Sequence, residues 1–138
     1  MIKEIIKDES FLTQPSDSVS FEEAQEIITD LLDTAKAHID DCAGLAAPQI
    51  GILKKVIVVR SGNNFFPMIN PMIIKKSGQK FVNTEGCLSL EGCRQVERYP
   101  SILVGYVDKS GKRVTKTFNG TTAIIIQHET DHLKGVLI

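Results

Sequence analysis

Apolar residues Phe21, Ala24, Ile27, Ile28, Leu31, Leu32 and Ala35 recur at three-and-four spacing, the pattern of one helical face, and Ser20 with Glu23 supplies a capping box in front of them. The spacing predicts a helix from about Phe21 to about His38. The rhythm then changes. Ala43-Gly44-Leu45-Ala46-Ala47-Pro48-Gln49-Ile50-Gly51 is small and apolar, bounded by glycine and interrupted by proline, which predicts a tightly packed extended segment or turn and no helix. The runs Val56-Ile57-Val58-Val59, Phe66-Pro67-Met68-Ile69, Met72-Ile73-Ile74, Ile102 to Val107 and Val114 to Phe118 are short, rich in β-branched and aromatic residues, and separated by turn signals. They read as strands. Asp108-Lys109-Ser110-Gly111 between the last two reads as a hairpin turn, so these two should pair antiparallel. A final helix is expected from about Thr121 to about Leu133, stopped by Gly135. Helix, several strands, helix, with no βαβ alternation, is the order of an α+β fold.

Composition narrows the class. A chain of 138 residues is the size of one domain, expected to span 1–138 and to bury its own core. The formal net charge is −1, with lysine and arginine scattered among the acids, which argues against DNA or an anionic membrane as partner. Met1 to Asp8 has no apolar run of signal-peptide length and no later stretch could span a bilayer, so a soluble cytoplasmic protein is expected. Three cysteines, Cys42, Cys87 and Cys93, are an odd number with no export signal, pointing to free or metal-bound thiols instead of a disulfide framework.

His128-Glu129-Thr130-Asp131-His132 is an H-E-x-x-H pattern on the predicted final helix, which places both imidazoles on one face, one turn apart, within reach of one metal ion. Glu129 lies beside that face, where it can accept a proton from an attacking water without becoming a ligand. A solvated pair of histidines is the plain alternative. The apolar Ala123-Ile124-Ile125-Ile126 just before it argues for a buried helix, on which unpartnered polar groups would be costly. His38 reads as a surface residue favoured by the helix dipole. A catalytic ion needs a third protein ligand, and Cys87 and Cys93, both following Glu-Gly, are equal candidates by residue type.

Gly44-Leu45-Ala46-Ala47-Pro48-Gln49-Ile50-Gly51, Glu85-Gly86-Cys87-Leu88-Ser89 and Gln127-His128-Glu129-Thr130-Asp131-His132-Leu133 resemble, in order and spacing, the three signature motifs of the peptide deformylase family. The likeness extends over nearly the whole chain. It implies antiparallel sheets packed around a C-terminal metal-binding helix, and removal of the formyl group from the N-terminal formylmethionine of new polypeptides, with release of formate. It also implies Cys87, His128 and His132 as metal ligands, Glu129 as acid/base, and Gln49 with the backbone N–H of Leu88 as donors to the formyl oxygen. The expected cofactor is one divalent ion, ferrous iron, with zinc or nickel also accepted. Expected partners are N-formylmethionyl peptides and nascent chains, with transient ribosome contact, and the chain is expected to act as a monomer. Ile124 and Ile125, four and three residues before His128, are placed to line a methionine pocket, although core packing is the commoner fate of isoleucine. Gly44 would let a peptide backbone approach closely. Arg94 stands where the family often has an arginine near the peptide; a solvated surface arginine is the alternative.

There are departures from the family pattern. Cys42 replaces the usual glycine two residues before Gly44, where a side chain could narrow the substrate groove or change what it accepts. Leu90-Glu91-Gly92 follows Ser89 where many relatives have proline, and Ile138 is the last residue where many continue. Three other readings compete: an amidase for another N-blocked peptide, a silent relative that binds peptides or stores metal, and a structural zinc site completed by Cys93.

Overall fold

The structure is a computed structural model and describes residues 1–138. A short helix α1 (Glu9–Leu12) precedes α2 (Phe21–Ala37), where Ser20 Oγ accepts from the Glu23 N–H at 3.2 Å, as the capping box requires. Strands β1 (Gly44–Ala46), β2 (Val56–Ser61), β3 (Asn64–Ser77), β4 (Phe81–Glu85), β5 (Arg94–Arg98), β6 (Ser101–Val107) and β7 (Arg113–Asn119) follow, and α3 (Gly120–Leu133) closes the sequence of elements. Five strands form an antiparallel sheet in the order β1-β2-β3-β6-β7, while β4 and β5 pair only with each other.

The unbroken apolar run of β2 is explained by cover on both faces. Val56 and Val58 pack into a cluster with Ala24, Leu31 and Leu45 under α2, whereas Ile57 and Val59 pack with Ala123 and Ile126 of α3. All four side chains are fully buried, so no polar face alternates with them. Leu45 and Ala46 of β1 divide between the same two clusters.

Four features differ from the expectations. The runs around Phe66 and Met72 are one strand, β3, which passes through Pro67 and Pro71 and absorbs register shifts against β6. Pro48 opens a 3₁₀ turn over Ala47–Ile50, where no helix was expected; proline suits the first turn because the N–H it lacks would have no partner there. α1 and the β4–β5 hairpin carry too little apolar periodicity to have been read from the pattern. Cys42 is in the core under α2, with its thiol donating to the Gly44 carbonyl at 3.2 Å, so it does not narrow a groove.

α3 is fixed at its middle and at its C-terminal end. Gln127 clamps the backbone before β6, accepting from Tyr99 N–H at 3.0 Å and donating to Tyr99 O at 2.8 Å. Gly135 ends the helix at φ 80°, and a Cβ there would run into the Thr13 carbonyl, so both conformation and space demand glycine.

Candidate active site

α3, the loop after β4 and the turn after β1 meet at one place. There the Cys87 sulfur and one nitrogen each from His128 and His132 lie within 4.8 Å of one another. Cys93 is exposed and outside this group. His128 Nδ1 bonds to Glu85 Oε1 at 2.7 Å, which turns Nε2 toward His132 Nε2, 3.2 Å away. Two ring nitrogens facing each other at that distance, beside a sulfur, suit a shared cation.

Burial pulls His128 down, but the Cys87 sulfur and the Glu85 carboxylate outweigh it and raise it to about 10. Burial, reinforced by the charge on His128, lowers His132 to about 3, which keeps its lone pair free. Glu129 is buried and its Oε1 has no hydrogen-bond partner, an uncommon state for a buried oxygen and one that a water held at the ion would relieve. Burial pushes its carboxyl up to about 7. The donor set and the orphaned oxygen therefore fit a divalent ion with an open position.

Gln49 is 1% exposed, and its Oε1 accepts from the Ala46 N–H at 3.0 Å, which closes the turn. That bond fixes the amide orientation and aims Nε2 at Ser89 Oγ, 3.2 Å away, with a second N–H to spare. The turn-closing role and the donor role are thus compatible. The Gln49 carbonyl is held from behind by the Ile6 N–H at 2.8 Å. The backbone N–H of Leu88 donates to no protein acceptor.

Beside these groups lies a cavity of about 260 Å³ walled by Gly44, Leu88, Ile124, Ile125, Cys87 and Glu129. A Cβ at Gly44 would stand 2.8 Å from Ile125 Cγ2 and 2.9 Å from Glu129 Oε2, so glycine makes room for the acid. Arg94 is not on the cavity wall; its Nη2 donates to the Glu91 carbonyl at 3.0 Å.

Motif spacing missed the group that orients His128. Glu85 accepts from Arg98 Nε at 2.9 Å and Nη2 at 2.7 Å and from Asn83 Nδ2 at 2.8 Å, while Arg98 Nη1 reaches Asp131 Oδ2 at 2.6 Å. Burial pushes Glu85 up, but His128, Arg98 and Asn83 prevail and hold it at about 2. The register pairs Phe81 with Arg98 and Asn83 with Val96, placing Asn83, Glu85 and Arg98 on one face of the hairpin. Period-two alternation on β5 was the available signal, but nothing in it says that this face turns inward.

Residues 2–138 match the family model described as polypeptide deformylase. The chain is 45% identical to a peptide deformylase of Clostridium beijerinckii over the whole length of both. This chain belongs to the peptide deformylase family. Among solved structures, an actinonin-bound class I type b peptide deformylase from Acinetobacter baumannii superposes with a TM-score of 0.89 at 34% identity, covering 99% of this chain and 95% of that one. A Met-Ala-Ser-bound structure of the Acinetobacter baumannii enzyme gives 0.89 at 32% identity, covering 99% and 97%. Peptide deformylases are metal-dependent, in keeping with the donor set described above. No helix here is long and apolar enough to cross a membrane.

Proposed function

We propose that residues 1–138 act as one catalytic domain, removing the formyl group from the N-terminal formylmethionine of new polypeptides in the cytoplasm and releasing formate. The observation that carries this reading is the orphaned oxygen of Glu129 beside the Cys87, His128 and His132 donors. These three residues would hold one divalent ion, ferrous iron with zinc or nickel as substitutes, which supplies a Lewis acid that polarises the formyl carbonyl and activates water.

The chain's own residues do the rest. Ile124, Ile125 and Leu88 offer an apolar wall for the methionine side chain. β1 is an edge of the sheet, along which an extended peptide can lie. The Gln49 amide and the Leu88 N–H donate to the formyl oxygen as it gains negative charge, two donors in place before reaction. Glu129, raised to about 7, takes the proton of the attacking water and passes it to the departing amine nitrogen. Glu85 keeps the His128 ring turned so that Nε2 faces inward. The site needs no second chain, and we assign the working form as a monomer that meets the ribosome only in passing.

The test is formate release from formyl-Met-Ala-Ser by protein loaded anaerobically with ferrous iron, beside acetyl-Met-Ala-Ser and a Glu129→Ala variant. The wild type should act on the formyl peptide only. The variant should keep its metal and lose activity by about a hundredfold to ten-thousandfold. Equal slow release by both proteins would mark a silent relative, and turnover of the acetyl peptide would mark a broader amidase.

A further inference from the structure

The turn that carries Gln49 is held from outside by a part of the chain that the mechanism leaves idle. Ala47–Ile50 is a single 3₁₀ turn, too short to satisfy all of its own carbonyls. The Ala47 carbonyl accepts from Ile52 N–H at 3.1 Å and the Pro48 carbonyl from Gly51 N–H at 3.0 Å. The Gln49 carbonyl, next in line, is taken by Ile6 N–H at 2.8 Å. Gln49 is buried, so solvent is a poor substitute for that donor.

Ile6 belongs to the irregular segment ahead of α1, and that segment is itself anchored. Lys3 N–H donates to Thr34 Oγ1 at 2.9 Å, and Thr34 is a fully buried residue of α2. Ile5 packs against the core cluster under α2. A Cβ at Gly51 would lie 3.7 Å from Ile6 Cδ1, so the Ile6 side chain rests against the end of the Gln49 turn. A tether therefore runs from Thr34 through Lys3 and Ile6 to Gln49. Neither Thr34 nor Ile6 lines the cavity beside Glu129.

We propose that Ile6, through its backbone N–H, and Thr34, through Lys3, are positioning residues that hold the Gln49 turn so that Nε2 meets the developing oxyanion. The inference rests on the deformylase reading above and on the donor role it gives Gln49. A donor helps only when it is already in place as charge develops, and a misplacement of about 1 Å can cost about a hundredfold in rate. Loosening the turn leaves the peptide bound but the donor badly aimed. The loss then falls on kcat and spares KM.

The test is steady-state kinetics on formyl-Met-Ala-Ser with protein loaded anaerobically with ferrous iron, its metal content and Tm measured alongside. Ile6→Pro deletes the N–H, Thr34→Val deletes the hydroxyl at nearly the same shape, and Thr34→Ser restores it. Expected kcat losses are about fivefold to fiftyfold in Ile6→Pro and about threefold to tenfold in Thr34→Val, with KM and metal content within about twofold of wild type. Thr34→Ser should stay within about twofold of wild-type kcat. Gln49→Leu alone should lose about a hundredfold to a thousandfold, and adding Ile6→Pro or Thr34→Val to it should lower kcat by less than about twofold more. Should Ile6→Pro fail to fold, the Thr34 variants decide alone.

Wild-type kcat in Thr34→Val and in a folded Ile6→Pro would overturn the proposal, as would equal fractional losses with and without the Gln49 side chain, which mark a general effect on the fold. Wild-type kcat in Gln49→Leu would remove the donor role and this inference with it, leaving deformylation intact. Absence of formate release by the wild type would instead overturn the deformylase reading itself.

Discussion

Replacing Arg98 with methionine removes one guanidinium that bonds Glu85 twice and Asp131 once. The side chains of Arg98 and Glu85 are only 5% and 7% exposed, so water cannot take the missing place without opening the hairpin. The variant leaves a carboxylate that the native environment holds at about 2 buried with Asn83 and His128 alone. Removing one partner of such a pair costs about 3–5 kcal/mol, a large share of the roughly 5–15 kcal/mol that stabilises a domain. For a chain of this size that corresponds to a fall in Tm of about 10–20 °C. Glu85→Gln is milder: it leaves Arg98 with Asp131, and its expected cost is about 1–3 kcal/mol. The double variant strands no charge at Glu85, so its loss should fall short of the sum of the singles by about 1–3 kcal/mol. Urea unfolding followed by circular dichroism, with all four proteins saturated with the same metal, measures each term. An Arg98→Met variant within about 1 kcal/mol of wild type, or strict additivity in the cycle, would refute the claim that this ion pair is buried and coupled.

Two further outcomes are expected. In Gly44→Ala the new methyl would stand 2.9 Å from Glu129 Oε2 and 2.8 Å from Ile125, so the acid must shift. Stability should fall by about 1–3 kcal/mol and kcat by about a hundredfold, and wild-type kcat in steady-state assays would show that Glu129 tolerates displacement. Burial pushes the Cys42 thiol up to about 12, so it stays protonated and unreactive at neutral pH, whereas Cys93 is exposed. Peptide mapping after iodoacetamide treatment at about pH 8 should find Cys93 modified in the native protein and Cys42 only after unfolding; native labelling of Cys42 would contradict its core position.

The legible parts of the molecule were those written in a local period. α2 was readable because Phe21 to Ala35 keeps one apolar face behind a Ser20–Glu23 cap, and α3 because two histidines and an acid follow an apolar run and precede Gly135. β4 and β5 were not readable. Their burial alternates weakly, and their buried residues are Glu85 and Arg98, at opposite ends of the ladder, which look like surface residues until their side chains are seen to meet and neutralise each other. Residue types alone left Cys87 and Cys93 as equal candidates, and only the family resemblance singled out Cys87, because the turn that brings it to α3 has no periodic signature. Cys42 illustrates the opposite error. A side chain two residues before the Gly44 motif was read as able to narrow the groove or change what it accepts, but the backbone turns it into the core cluster that holds Leu45 and Ala35, which sequence spacing does not encode.

The double burial of β2 makes this strand a shared wall between two compartments. A methyl group added or deleted at Ile57 or Val59 presses on or loosens the floor under the histidine-bearing helix, and a change at Val56 or Val58 moves the same backbone from the other side. Selection for a well-shaped catalytic centre therefore reaches through to the far layer, constraining residues of α2 that no substrate ever touches.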